Sequence, residues 1–189
     1  MNIEDVRTVK DAINFYNSPK SRDIVEAIQA RRDLNYLNHN YANALCLTDV
    51  MLRNASSRIC ILAGDNVFDF LNILREPFKL AYDAIVRNNG HIKIISLGVG
   101  EAFNDRVTET FRKFSNTFNN IEFKKGLISD PLQVSHYIIC DNAVRIEQPH
   151  LPITNESSAG TIKATVYFRT KKEEVDALET DFNALYNRL

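Results

Sequence analysis

No apolar run in the chain approaches the roughly 18 residues that a membrane-spanning helix needs. Charge of one sign is also lacking. Lys and Arg number 23 against 24 Asp and Glu, a net charge of −1. That balance argues against a dominant electrostatic grip on nucleic acid, although a local basic patch stays compatible with it. Six Gly and five Pro are too few for a disordered or collagen-like chain. The three cysteines, Cys46, Cys60 and Cys140, form no CxxC pair. Such an odd, scattered set fits a reducing cytosol, and Cys60 and Cys140, inside apolar runs, read as buried small hydrophobes. The start, Met1-Asn2-Ile3-Glu4-Asp5, has neither a basic n-region nor an apolar h-region, so no signal peptide is expected and the expected location is cytoplasmic. His39, His91, His136 and His150 show no HxxxH or HExxH spacing, and neither a GxSxG elbow nor a P-loop occurs. Linear spacing therefore implies no metal and no cofactor.

What is present is an ordinary globular composition of 189 residues, 44% hydrophobic and 25% charged. A chain of this size buries roughly 70% of its unfolded surface and needs no disulfide or metal to fold. Residues 1–55 read as a helical extension. Val6, Val9, Ile13 and Tyr16 recur at helical spacing, and Ile24, Ile28 and Leu34 line a second helix opened by Ser18-Pro19. Tyr41, Leu45, Thr48 and Leu52 line a third.

Residues 56–189 read as an α/β domain. Ile59-Cys60-Ile61-Leu62-Ala63 is a strand buried on both faces. An amphipathic stretch from Phe68 to Ile85 follows, with Pro77 expected to kink or divide it and Asn88-Asn89-Gly90 to stop it. Ile92 to Leu97 is a second strand. Phe103, Val107, Phe111, Phe114 and Phe118 form the cleanest helical stripe, before a third strand from Ile121. Val134 to Cys140 and Ala143 to Glu147 form a hairpin about Asp141-Asn142, Ile162 to Phe168 is a last strand, and Thr170 to Glu173 fits a capping box before a final helix. Helices between successive strands imply parallel pairing with right-handed crossovers.

Two segments could carry chemistry. Ser96-Leu97-Gly98-Val99-Gly100-Glu101 ends a strand and opens a helix, as in nucleotide-binding turns, but the third glycine is absent and a tight turn accounts for it. The second segment is Val134-Ser135-His136-Tyr137-Ile138-Ile139-Cys140-Asp141. With the order of elements from about Tyr41 to Leu189, and with Ala164, Phe168, Phe182 and Tyr186 near the end, it resembles the phospholipase D superfamily. That family's motif is H-x-K, four apolar residues and D, followed by G-S-x-x-N.

Anchored on Asp141, the resemblance puts Val134 at the family's histidine and His136 at its lysine. Gln148, Pro149 and Pro152 stand where glycine, serine and asparagine belong. A rival alignment makes His136 the histidine, with Ile138 at the lysine and Asp141 two residues early. In active members the histidine attacks phosphorus. Valine can neither attack nor donate a proton. The resemblance thus implies a phospholipase D-like mixed sheet flanked by helices and a non-catalytic binding module, regulatory or for assembly. It implies a homodimer too. His136, Asp141, Arg145, Glu147 and His150 are the candidate ligand-binding residues, for a small anion, a nucleotide or a partner backbone. The alternative is a divergent phosphodiesterase or nuclease with His136 as nucleophile across a homodimer, Asp141 or Glu147 orienting it and Arg145 holding the phosphate. The N-terminal helices could contact another protein. Were nucleic acid a partner, Arg31, Arg32, Lys124 and Lys125 would be its contacts. No membrane is expected.

Overall fold

The computed structural model describes residues 2–189. Helices α1 (Val9–Tyr16), α2 (Pro19–Ala30) and α3 (Tyr41–Arg53) come first, with strand β1 (Asn35–Asn38) between the last two. Then follow β2 (Arg58–Ala63), α4 (Val67–Ile73), α5 (Arg75–Arg87), β3 (His91–Gly98), α6 (Glu101–Ser115) and β4 (Glu122–Leu127). Hairpin strands β5 (His136–Cys140) and β6 (Ala143–Glu147), strand β7 (Ala164–Tyr167) and helix α7 (Lys172–Arg188) complete the chain.

The seven strands form one mixed sheet in the order β1-β7-β6-β5-β2-β3-β4. Strands β2, β3 and β4 pair in parallel because α4 to α6 carry the chain back between them. The other pairings are antiparallel. Alternate residues of the central strands feed two apolar clusters, one on each face. Ile59, Ile61, Ile94, Ile138 and Cys140 pack with α1, α3, α4, α5 and α6, whereas Cys60, Leu62, Ile95, Tyr137 and Ile139 pack beneath Val175 and Phe182 of α7. The architecture is therefore an α/β mixed sheet flanked by helices. None of its helices is long and apolar enough to cross a membrane, among the described residues.

Several local expectations change once tertiary contacts are in place. Strand β1, in a segment read as helical, pairs with β7 in register Asn35↔Tyr167 to Asn38↔Ala164. The division of the amphipathic stretch falls at Leu74. Pro77 is the third residue of α5, where its missing N–H would have no intrahelical acceptor. Gly90 follows α5 because a methyl there would lie 1.9 Å from the Ser57 carbonyl oxygen. The capping box at Thr170 does not form: Lys171 is the N-cap residue of α7 and makes no side-chain cap. Strand β5 starts at His136, not Val134. Val134 closes a short 3-10 turn and packs with the α7-side cluster, so it does not share the face of His136 and Ile138.

Candidate functional site

The register of the β5–β6 hairpin builds the site. His136 stands directly opposite Glu147, and Ile138 opposite Arg145. Residues two apart on a strand share a face, so His136, Arg145 and Glu147 project to the same side. That side is away from α7, toward the ends of β2 and β3. His150 enters from the loop after β6. The four residues line a cavity of about 140 Å³, with Tyr41 of α3, Val67 and Phe70 of α4, and Ile153 and Ile162 supplying apolar walls. The Asn66 amide donates to the Ile153 carbonyl and ties the loop after β2 to the loop after β6.

Glu147 is the hub. One carboxylate oxygen accepts from His136 Nδ1 at 3.4 Å and from His150 Nε2; the other pairs with the Arg145 guanidinium. The imidazoles stand edge-on, centroids 5.1 Å apart. His150 Nδ1 lies 2.7 Å from its neighbour's carbonyl at Leu151, so both its nitrogens are occupied. His136 has only Nδ1 engaged, and a methyl on Gly64 would lie 3.7 Å from its Nε2. Burial by itself would push the Glu147 carboxyl up, but the Arg145 charge and both imidazole hydrogen bonds outweigh it and hold it well below the usual carboxylate range. Burial would also lower His150. The hydrogen bond and charge of Glu147, with the Leu151 carbonyl, more than offset that and raise it above an ordinary histidine.

Arg145 is 3% exposed. Its Nη2 lies against the Glu147 carboxylate as an ion pair, yet neither Nη2 nor Nε has an acceptor in hydrogen-bonding alignment among the described residues. Buried polar groups are nearly always hydrogen-bonded, and orphaned donors on a cavity wall mark where acceptors are missing. The arrangement can hold an oxyanion. The His136, Glu147 and His150 ligand atoms also lie within 4.8 Å of one another, close enough for a metal ion.

Of the residues singled out in the sequence, His136, Arg145, Glu147 and His150 come together and Asp141 does not. Asp141 sits in the β5–β6 turn at φ 51°, the far end of β5 from His136. Its carboxylate accepts from the amides of Ser56, Ser57 and Arg58 at 2.8, 3.0 and 2.9 Å, and from the hydroxyls of Ser56 and Ser57 at 3.0 and 2.6 Å. Those contacts outweigh burial and lower its pKa. Asp141 is an anchor for the start of β2. The cavity's Tyr41, Phe70 and Gly64 were missed because they sit on other elements and fit core or turn roles equally well.

The Gly98-Val99-Gly100 turn is explained by packing. A methyl on Gly98 would lie 2.1 Å from the Phe103 ring, and Gly100 has φ 77°. Of the basic doublets, Lys125 donates to Thr108 Oγ1 at 2.7 Å and Lys124 lies 5.6 Å from the Tyr186 ring centroid.

No family model matches the chain. No curated protein matches it either. Among solved structures it is similar to TrmBL2, an archaeal chromatin protein whose structure is described as showing a novel mode of DNA binding. The TM-score is 0.57 at 14% sequence identity, over 89% of this chain. The match covers 60% of the TrmBL2 chain. At that identity the likeness is one of fold.

Proposed function

We propose that the chain is a non-catalytic binding module on a phospholipase D-like frame, whose cavity takes a small oxyanion between Arg145 and the free nitrogen of His136, with His150 contributing charge nearby but no hydrogen bond. The observation that carries this reading is the buried Arg145 guanidinium on the cavity wall, whose Nε has no acceptor among the described residues although Nη2 is paired with Glu147. A phosphate, sulfate or carboxylate group supplies acceptors suited to a planar, permanently charged guanidinium. The cavity, at about 140 Å³, is close to the ~150 Å³ that accommodates a benzene-sized molecule, so the anion can bear a compact apolar group.

Binding is favoured over turnover for a chemical reason. Within one chain, a histidine nucleophile needs a second group to protonate the leaving oxygen, and none is free for it among the described residues. His150, the neighbour, has both nitrogens engaged and Glu147 is held ionised. Val134, at the family's nucleophile position, packs on the other face of the sheet. A regulatory or assembly role, with a homodimer and a protein contacted through residues 1–55, extends this proposal. The likeness to a DNA-binding chromatin protein supports nucleic acid as a partner of such an assembly. The net charge of −1 argues against nucleic acid as the main ligand of this chain.

The test is calorimetric titration of the chelator-treated protein with sulfate and inorganic phosphate. One saturable site, lost in Arg145→Met and weakened in His136→Ala, is the expected result. Absence of binding, or binding unaffected in Arg145→Met, removes the oxyanion reading. Turnover of a chromogenic phosphodiester that vanishes in His136→Ala would replace it with the phosphodiesterase alternative.

A further inference from the structure

The opposite face of the sheet holds a second cluster, which uses none of the cavity residues. In the β2–β3 pairing Arg58 stands opposite His91 and Cys60 opposite Lys93. These four share the face covered by α7, and α7 brings Glu179 onto them. Cys60 Sγ lies 3.7 Å from His91 Nε2, and the same nitrogen lies 3.0 Å from Glu179 Oε1. All three candidate ligand atoms fall within 4.8 Å of one another.

One imidazole nitrogen facing both a sulfur and a carboxylate oxygen is not the geometry of a relay, in which the two partners sit on different nitrogens. It is the geometry of three donors around one point. A tetrahedral zinc ion with bonds of about 2.3 Å to sulfur and about 2.0–2.2 Å to nitrogen and oxygen sets donor–donor edges of roughly 3.3–3.6 Å. The two measured separations lie within a few tenths of an ångström of that.

The surroundings support the same assignment. The other oxygen of Glu179 is held by the Arg58 guanidinium, which also reaches Asp176 at 3.4 Å and the Asp141 carbonyl at 3.3 Å. A ligating carboxylate is ordinarily fixed by such a partner on its free oxygen. Lys93, a second cation on this face, is engaged elsewhere. Its ammonium donates to Asn183 at 3.1 Å and lies 5.4 Å from the Tyr186 ring centroid. The His91 side chain is 36% exposed and leaves a route from solvent.

We propose that Cys60, His91 and Glu179 form a site for a thiophilic divalent cation of the zinc type, which clips α7 to β2 and β3. A soft thiolate with an imidazole and a carboxylate selects such ions over magnesium or calcium. An ordinary cysteine is protonated at neutral pH, so Cys60 meets the ion as a thiol. The sulfur–metal bond forms as the S–H bond breaks, and the proton passes to solvent.

The test uses the full chain, reduced and treated with chelator, titrated with Co²⁺ and then Zn²⁺. The expected result is one equivalent of Co²⁺ with a near-ultraviolet thiolate-to-cobalt charge-transfer band and strong tetrahedral bands in the visible, all displaced by Zn²⁺. Cys46→Ala and Cys140→Ala keep the band, and Glu179→Gln weakens Co²⁺ binding at least tenfold. Cys60→Ala abolishes the band. His91→Gln, at a part-exposed position, weakens Co²⁺ binding to the same degree as Glu179→Gln or more. Visible bands without charge transfer would place cobalt on a site without sulfur, such as the His136–Glu147–His150 cluster, and would overturn the proposal. So would absence of binding, or a charge-transfer band unchanged in His91→Gln.

Discussion

Glu147→Gln removes one charge while keeping the shape of the side chain. Glu147 is 5% exposed and Arg145 is 3% exposed, so solvent cannot take over the role of the lost carboxylate. In the native chain the carboxylate compensates the guanidinium and accepts from two imidazoles. Breaking a buried ion pair on one side costs about 3–5 kcal/mol, because the surviving charge is left uncompensated. For a chain of this length each kcal/mol moves the melting temperature by about 2–4 °C. Glu147→Gln should therefore unfold roughly 6–20 °C lower in scanning calorimetry, with a matching fall in the urea midpoint. The pH dependence should change with it. A carboxyl whose folded pKa is lowered contributes stability that is present above its unfolded value, about 4.3, and is lost as pH falls through the lower folded value. The variant should lack that acid-side loss. Arg145→Met combined with Glu147→Gln should be more stable than Glu147→Gln alone, since the stranded charge is gone. A loss under about 1 kcal/mol, or strictly additive effects in the double variant, would refute the picture of one buried, mutually dependent pair.

Two further outcomes follow from the same geometry. His150 has a raised pKa, so its charge is present below the ordinary histidine value of about 6.5 and is lost as pH rises through the higher folded value. Sulfate keeps its charge over that range; its affinity, measured by calorimetry, should fall with rising pH above about 6.5 in the native chain and fall less in His150→Gln. Asp141→Ala removes the acceptor for three backbone amides and two hydroxyls at a left-handed position. Urea denaturation should show a loss of roughly 2–3 kcal/mol, by analogy with helix-cap removal plus αL strain. Sulfate affinity of the folded variant should be unchanged.

How much of this could be read from the chain depends on how local each feature is. The stripe from Phe103 to Phe118 set α6 toward the sheet by period alone, and Phe103, Val107 and Phe114 are buried as that stripe demands. The hairpin was equally legible. Once its turn is put at Asp141-Asn142, pairing places His136 against Glu147 and Arg145 on the same face. Strand β1 was not legible. Asn35-Tyr36-Leu37-Asn38 has little strand propensity, and it is extended because β7 offers an unpaired edge. Asp141 misled for a related reason. A motif position implies a site, while five donors from residues 56–58 make it an anchor. Cys60 was rightly read as buried. Its neighbours, 31 and 119 positions along the chain, meet it only through the β2–β3 register and the docking of α7, which no linear spacing encodes.

The two clusters on the sheet contain similar donors, yet charge assigns them different ligands. At the cavity, the carboxylate is shared among a guanidinium and two imidazoles, one of them with a raised pKa. Its negative charge is already engaged by cations within the protein, and a divalent metal entering there would meet the positively charged face of Arg145, whose Nε has no acceptor among the described residues. An anion meets the same face with attraction. Beneath α7 the balance is reversed. Arg58 engages one oxygen of Glu179, but the other oxygen, the imidazole and a sulfur that becomes a thiolate converge without a cation between them. Buried charge is tolerated only where it is compensated nearby. That rule directs an oxyanion to one face of the sheet and a thiophilic cation to the other, so sulfate and Zn²⁺ should stabilise the chain independently and additively.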